Sequence, residues 1–288
     1  MVVSNEGQTA SATQRPRWGP GLHAPADATV DLAAYFNYLG RWSALFVPAL
    51  VAAAKIVPDD RVLDVAAGPG EAMLFASSAA GPGGRVAGCD LSLPMLAAAR
   101  ARMPAAAGRL VVADGQALPF AARRFDAVIC QLGLMFFADP GAGLREFRRV
   151  LRPGGRAAVC VLAAPDRAPI WGALASALGA ALPHDRDLLM LSFALADATA
   201  LGALIEAAGF ADIRVVTERR AAVFASLGDY WRAVANGAGM LPQAYRGLPE
   251  PARRQVRADA GDLLAAFQAG GQLRLPIEVV IGAGRAAA

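Results

Sequence analysis

The stretch Arg61-Val-Leu-Asp-Val-Ala-Ala-Gly-Pro-Gly-Glu71 constrains this chain more than any other. An apolar run leads directly into Gly68-Pro-Gly70 and then into an Ala-rich segment, so a buried strand must turn sharply into a helix. Two glycines in such a turn let backbone amides approach a ligand closely, at the positive end of the following helix. Short apolar runs recur at Gly84–Cys89, Arg109–Ala113, Phe125–Cys130 and Gly155–Leu162. Between them, helices are expected at Glu71–Ala80, Pro94–Met103, Gln116–Ala122 and Gly141–Leu151. Apolar runs of this length separated by helices indicate an α/β fold, a doubly wound, mostly parallel sheet covered on both faces.

The rest of the chain is organised around that core. Residues 1–27 read as a flexible leader rich in Ser, Thr, Gly and Pro, and residues 31–55 as a helical lid with a kink at Pro48. The core spans 57–162, and 163–288 holds inserts and the last strands. A helix is expected at Thr199–Ala208, stopped by Gly209, with a strand at Ile213–Thr217. A final β-rich run, Gln272–Gly282, contains Pro276, which suits an edge or terminal position. The segments Ala164–Ala198 and Leu227–Gly270 are helical inserts expected to roof a pocket, all within one domain of 1–288.

Composition narrows the class. With 56% hydrophobic and 18% charged residues, the chain is not disordered as a whole. The apolar stretches Ala168–Pro183 and Leu188–Ile205 are too short, and the second is interrupted by Asp197, so neither is expected to span a membrane. The polar N-terminus has no apolar signal core, and a cytoplasmic location is the expectation. Lys55 is the only lysine among 28 basic residues, a vocabulary that reads as genome composition with a solvated Arg surface. The net charge of +4 is therefore no argument for a nucleic-acid partner. Cys89, Cys130 and Cys160 lack metal-ligand or disulfide spacing and read as buried thiols, so no metal site is expected.

Taken alone, Gly-Pro-Gly after a strand fits a nicotinamide or flavin site, or a tight turn. Met73 stands where a dinucleotide fingerprint places its third glycine. Asp64, inside the strand four residues before Gly68, suits a cationic amino group better than a pyrophosphate. Asp90 closes the second run, where a carboxylate accepts from two vicinal ribose hydroxyls. Asp114 and Gly115 close the third and offer a carboxylate and an amide to an exocyclic amine. Leu91 and Leu118 supply apolar faces for a flat base, and Gln131 follows the fourth run over the switch region.

These motifs resemble the class I S-adenosylmethionine-dependent methyltransferases, and within them the small-molecule branch of the ubiquinone/menaquinone-biosynthesis enzymes. The resemblance covers roughly residues 57–162. It is carried by Val62-Leu-Asp-Val-Ala-Ala-Gly-Pro-Gly70, Gly88-Cys-Asp-Leu-Ser92, Asp114-Gly-Gln-Ala-Leu-Pro-Phe120, Phe125-Asp-Ala-Val128 and Glu146-Phe-Arg-Arg-Val-Leu-Arg-Pro-Gly-Gly155. Gly115 and Gln116 depart from the more usual Ala-Glu. The resemblance implies a Rossmann-like seven-stranded sheet whose last strand is antiparallel, with S-adenosyl-L-methionine as cofactor. It also implies Gly68 and Gly70 against the methionyl part, Asp90 on the ribose and Asp114 on the adenine amine. Tyr38 and Arg41, in the aromatic segment Tyr35–Trp42, are the expected lid contacts. His184 is the expected base for an acceptor that must lose a proton, with His23 a weaker candidate. The expected acceptor is a small apolar or aromatic metabolite, methylated on O, N or C. A binding module, a cyclisation catalyst and a nucleic-acid methyltransferase are the rival readings. The apolar N-terminal helix offers a surface for a homodimer.

Overall fold

Strand β1 (Arg61–Val65) runs through the middle of the sheet, and four of its five residues are buried. The computed structural model describes residues 31–103 and 109–287; the expected leader 1–27, with His23, lies outside them. β1 is flanked in parallel by β2 (Arg85–Asp90) and β4 (Phe125–Gln131). β3 (Arg109–Val112) continues outward from β2, and β5 (Leu151–Leu162) from β4. β8 (Gln272–Ala286) inserts antiparallel between β5 and the edge strand β6 (Phe210–Phe224). The order β3-β2-β1-β4-β5-β8-β6 is a Rossmann-like path of seven strands with an antiparallel last strand; a two-residue β7 (Gln268–Ala269) adds to β8. The chain winds outward from β1 to β3 and then returns to β4, so a crevice opens at the carboxyl ends of β1 and β4.

Most core helices begin where their capping residues dictate. Ser92 caps Leu93–Arg102, accepting from Met95 N–H, and Asp139 caps Pro140–Val150, accepting from Ala142 N–H at 2.9 Å. Asp197 caps Ala198–Ala207 through Ala200 N–H. That cap splits the apolar stretch Leu188–Ile205 into two helical segments bent by 73°. Among the described residues, no single helix is long and apolar enough to cross a membrane. Two inserts cover the sheet. The first carries Pro169–Ala181, an apolar helix buried along most of its length. The second carries Leu227–Ala235, Met240–Gly247 and Glu250–Leu264.

Three expectations need correction. Gln116–Ala122 is not a helix. Glu146 accepts from Leu118 N–H at 2.8 Å, and Arg149 donates to the Leu118 and Phe120 carbonyls at 2.9 and 2.8 Å. These side chains of helix Pro140–Val150 take the polar backbone groups that a helix would need for itself, and Pro119 contributes no N–H. The lid segment 31–55 is not one kinked helix. It passes through a short α-turn (Leu32–Tyr35), a π-turn (Phe36–Gly40) and a 3-10 turn (Ala44–Phe46) before helix Val47–Ala53. Pro48 sits in the first turn of that helix, where its missing N–H costs nothing. The strand expected at Ile213–Thr217 is 15 residues long, because β6 follows β8 almost to its start.

Removing Arg149 isolates the 114–120 loop from its helix. Arg149→Ala is expected to lower the unfolding free energy by about 1–3 kcal/mol, read as a lower urea midpoint with an unchanged m-value.

Candidate functional site

Asp64 is the most unusual residue in the molecule. It lies in β1 between Gly88 of β2 and Ile129 of β4, fully buried, and neither carboxylate oxygen has a hydrogen-bond partner. Burial pushes its pKa well above the ordinary carboxylate range, and the nearby Asp90 charge adds to this. The nearby Met73 amide, short of a formed hydrogen bond, offsets only part of the rise. An unpartnered buried carboxylate of this kind points to a ligand that brings its own donor.

The turn that follows is shaped to receive one. Gly68 and Gly70 have φ of +52° and +85°, and at Gly68 the space a Cβ would occupy is open. At Gly70 a Cβ would meet Met103 Cε at 2.8 Å, so this glycine lets the turn press against helix Leu93–Arg102. Met73 replaces a third glycine because its sulfur fills the space over Gly88, where a Cβ would lie 2.5 Å from it.

Asp90, at the end of β2, accepts from Gly68 N–H and Ser92 N–H, each at 2.8 Å. One bond falls on each oxygen, leaving further lone pairs for hydroxyl donors. Burial raises its pKa, against the pull of the Ser92, Gly68 and Leu91 amides. Past the end of β3, Asp114 Oδ1 accepts from the Gln116 amide and side chain at 2.8 and 3.0 Å. Gly115 is required beside it, because a Cβ would lie 2.3 Å from the Phe137 ring. Leu91 is half-buried and Leu118 buried, the latter held by Glu146. Gln131 closes β4, donating to the Ser43 carbonyl of the lid at 3.1 Å, while its own buried Oε1 has no partner.

The lid meets this cluster through residues other than those expected. Burial and the Asp90 charge push the Tyr35 phenol up to about 12, with Ser43, Glu71 and Arg102 also acting on it. Tyr35 is thus a lid residue close enough to the cluster to feel the charges of Asp90 and Glu71. Arg102 donates to the Pro69 carbonyl at 2.8 Å and to Glu71 at 2.6 Å, with Phe36 over its guanidinium at 5.1 Å. It straps the lid to the glycine turn. Tyr38 instead faces the roof: its hydroxyl donates to the Ile170 carbonyl at 3.4 Å, and Trp171 Nε1 donates to the Tyr38 carbonyl. The π-turn Phe36–Gly40 adds a residue to one helical repeat and rotates Tyr38 onto the buried side. Arg41 is exposed and stacks on Trp42 at 4.0 Å. His184 is exposed on the turn Pro183–Asp185, and no described hydrogen bond or ion pair joins it to the cluster. The signal that favours Tyr35 over Tyr38 was present in the aromatic segment, but a uniform helical period cannot reveal it.

Asp64, Gly68, Gly70 and Asp90 therefore form one cluster, with Asp114–Gly115 and Gln131 at neighbouring strand ends. A groove of about 840 Å³ lies away from them, between helix Ala198–Ala207 and β6, and holds none of these residues. The cluster is rich in acceptors and backbone donors. It suits a ligand with a cationic amine, vicinal hydroxyls and a flat amino-bearing ring.

A family model described as a methyltransferase domain matches residues 63–159. A demethylmenaquinone methyltransferase of Mycolicibacterium vanbaalenii is 38% identical over 174 residues, covering 56% of this chain and 73% of that one. Another demethylmenaquinone methyltransferase, from Corynebacterium kroppenstedtii, is 46% identical over 109 residues, 38% of this chain and 44% of that one. The chain thus spans less than half of one of these relatives and about three quarters of the other. Among solved structures, the YcgJ protein of Bacillus subtilis has the same fold, with a TM-score of 0.58 at 18% identity over 86% of this chain and all of that one.

The raised pKa of Asp64 has a measurable consequence without any ligand. The folded protein holds a proton that the unfolded chain releases, so the stability at this site is present at low pH. It declines as pH rises from about 4, the unfolded-state value. Asp64→Asn is expected to remove that decline and make the ligand-free protein more stable than the wild type at pH 8, read by thermal unfolding at a series of pH values.

Proposed function

Because the chain belongs to the class I S-adenosylmethionine-dependent methyltransferases, we propose that it transfers a methyl group from that cofactor to a small apolar or aromatic acceptor. The observation that carries this reading is the buried, unpartnered carboxylate of Asp64 beside an open glycine turn. When bound, S-adenosylmethionine supplies a methyl group activated on a sulfonium and released by in-line displacement. The protein's contribution is to bind, align and exclude water.

Asp64 would hold the cofactor's amino group, whose charge offsets the cost of burying the carboxylate. Gly68 and Gly70 let the backbone close around the methionyl portion. Asp90 would accept from the ribose hydroxyls and Asp114 from the adenine amine, with Leu91 and Leu118 against the base. Tyr35, with its pKa raised to about 12, stays protonated at neutral pH and acts as a donor rather than a base. The lid, strapped by Arg102 and joined to β4 by Gln131, would help exclude water from the bound cofactor.

The roof helices Pro169–Ala181, Leu227–Ala235, Met240–Gly247 and Glu250–Leu264 lie outside the matched methyltransferase domain, and they are the elements that would shape an acceptor site. The substrate named for the relatives is demethylmenaquinone, so an apolar ring compound is the first acceptor to try.

Titration calorimetry of the full chain with S-adenosylmethionine is expected to give micromolar binding, and the absence of binding would overturn the reading. Adding a reduced naphthoquinone acceptor is expected to release S-adenosylhomocysteine. Asp64→Asn is expected to weaken cofactor binding roughly 10- to 100-fold, the scale of a lost charge-assisted hydrogen bond. Tyr35→Phe and Tyr38→Phe separate the two lid tyrosines. The first is expected to weaken cofactor binding roughly 2- to 10-fold, whereas the second leaves affinity unchanged and lowers stability by about 1 kcal/mol.

A further inference from the structure

β6 is the outermost strand of the sheet, and its far edge has no partner among the described residues. Edges of this kind are usually short or interrupted, because a long one invites pairing with another chain. β6 is 15 residues long and stays in register with β8 from Arg214 to Phe224. The apolar face of the N-terminal helical segment is not available for a second subunit, since Tyr38, Trp42, Phe46 and Leu50 are buried within the chain.

Along one face of β6 stand Arg214, Val216, Glu218 and Arg220, and Val216 is 49% exposed. We propose that β6 pairs antiparallel with β6 of a second copy, across a two-fold axis at Val216. In such a pair, facing residues carry numbers with a constant sum, and an even sum keeps the pleats and hydrogen-bond directions of both strands matched. Centring the pair on residue 215 sets Glu218 against Asp212. Centring it on 217 sets Arg214 against Arg220, and centring it on 218 sets Glu218 against itself. The pair centred on Val216 places Arg214 opposite Glu218 twice and covers each exposed valine with its counterpart. Centring it on 219 sets Glu218 opposite Arg220 but Arg219 against itself, so of these registers only the one about Val216 is self-complementary in charge without a like-charge pair, as an isologous interface requires.

Neighbouring features agree with this register. In one copy Glu218 already holds Arg220 at 2.9 Å, and the second copy's Arg214 gives it another guanidinium. On the opposite face, the second copy's Arg219 falls opposite Ile213, which lines the 840 Å³ groove together with Glu206. The proposed pairing ends at the bulge around Asp212, where φ is +53° and Arg285 holds the carboxylate at 2.6 Å.

Sedimentation velocity of the full chain is the primary test, and a concentration-dependent dimer is expected. Val216→Asp and Glu218→Arg are each expected to raise the dimer dissociation constant at least tenfold. The double exchange Arg214→Glu with Glu218→Arg is expected to restore it, because the charges trade places across the axis. Circular dichroism checks that each variant folds. Cross-linking tests the register directly, since Cys89, Cys130 and Cys160 are all buried. Val216→Cys is expected to form an intersubunit disulfide under mild oxidation. Val223→Cys, also exposed but facing position 209 of the other copy, is not. A monomer at all concentrations, a dimer that survives Val216→Asp and Glu218→Arg, or equally rapid cross-linking at 216 and 223 would each overturn the proposal.

Discussion

A carboxylate buried at the centre of the sheet without a hydrogen bond is the constraint on which the rest of this structure depends. Asp64 sits where β1 is flanked by strands on both sides, and no neighbouring side chain relieves it. The surroundings deepen the cost. Burial raises the Cys89 and Cys130 thiols above their ordinary values, and the Asp64 charge raises them further, so the bed beneath the glycine turn is apolar and uncharged. A protein built this way is least comfortable when the site is empty. In the ligand-free fold a proton meets that cost, and a partner that carries positive charge to the same point would let the carboxylate ionise there.

Everything immediately around Asp64 keeps that partner's approach open while tying down the approach path. Asp90 uses one oxygen to hold Gly68 and the other to hold Ser92, so the glycine turn and the helix after β2 are fixed by the same side chain. Arg102 repeats this economy one layer out, binding the turn and its first helical residue while stacking beneath the lid. The 114–120 loop is held from below by Glu146 and Arg149. Rigid placement of short loops by long, charged side chains on neighbouring helices is what allows a site made mostly of backbone to be precise.

Much of the core was legible because its signals are local. β1, β2, β4 and the helices after them begin and end within a residue or two of their expected limits, since apolar runs, glycines and caps act over a few positions. What escaped has non-local causes. The loop at Gln116–Ala122 is helical in composition but is claimed by side chains some thirty residues away. β6 alternates with charged residues because it is an edge, and its length is dictated by β8, more than fifty residues later in the chain. That Asp64, Gly68, Gly70 and Asp90 would lie together at adjoining strand ends was readable from their spacing after strands. Tyr35 was not, because a π-turn changes which side of the lid faces inward, and no period in the sequence announces it.

Two tyrosines from distant parts of the chain, Tyr38 of the lid and Tyr230 of the second insert, converge on the carbonyl oxygen of Ile170, at 3.4 and 3.1 Å. That acceptor belongs to the main chain, so it persists whatever side chain stands at position 170. The joint between lid and roof is thus insulated from the sequence of the helix it grips. A substitution at position 170 leaves both tyrosine anchors in place, so side chains around the joint can change while the main chain keeps lid and roof together.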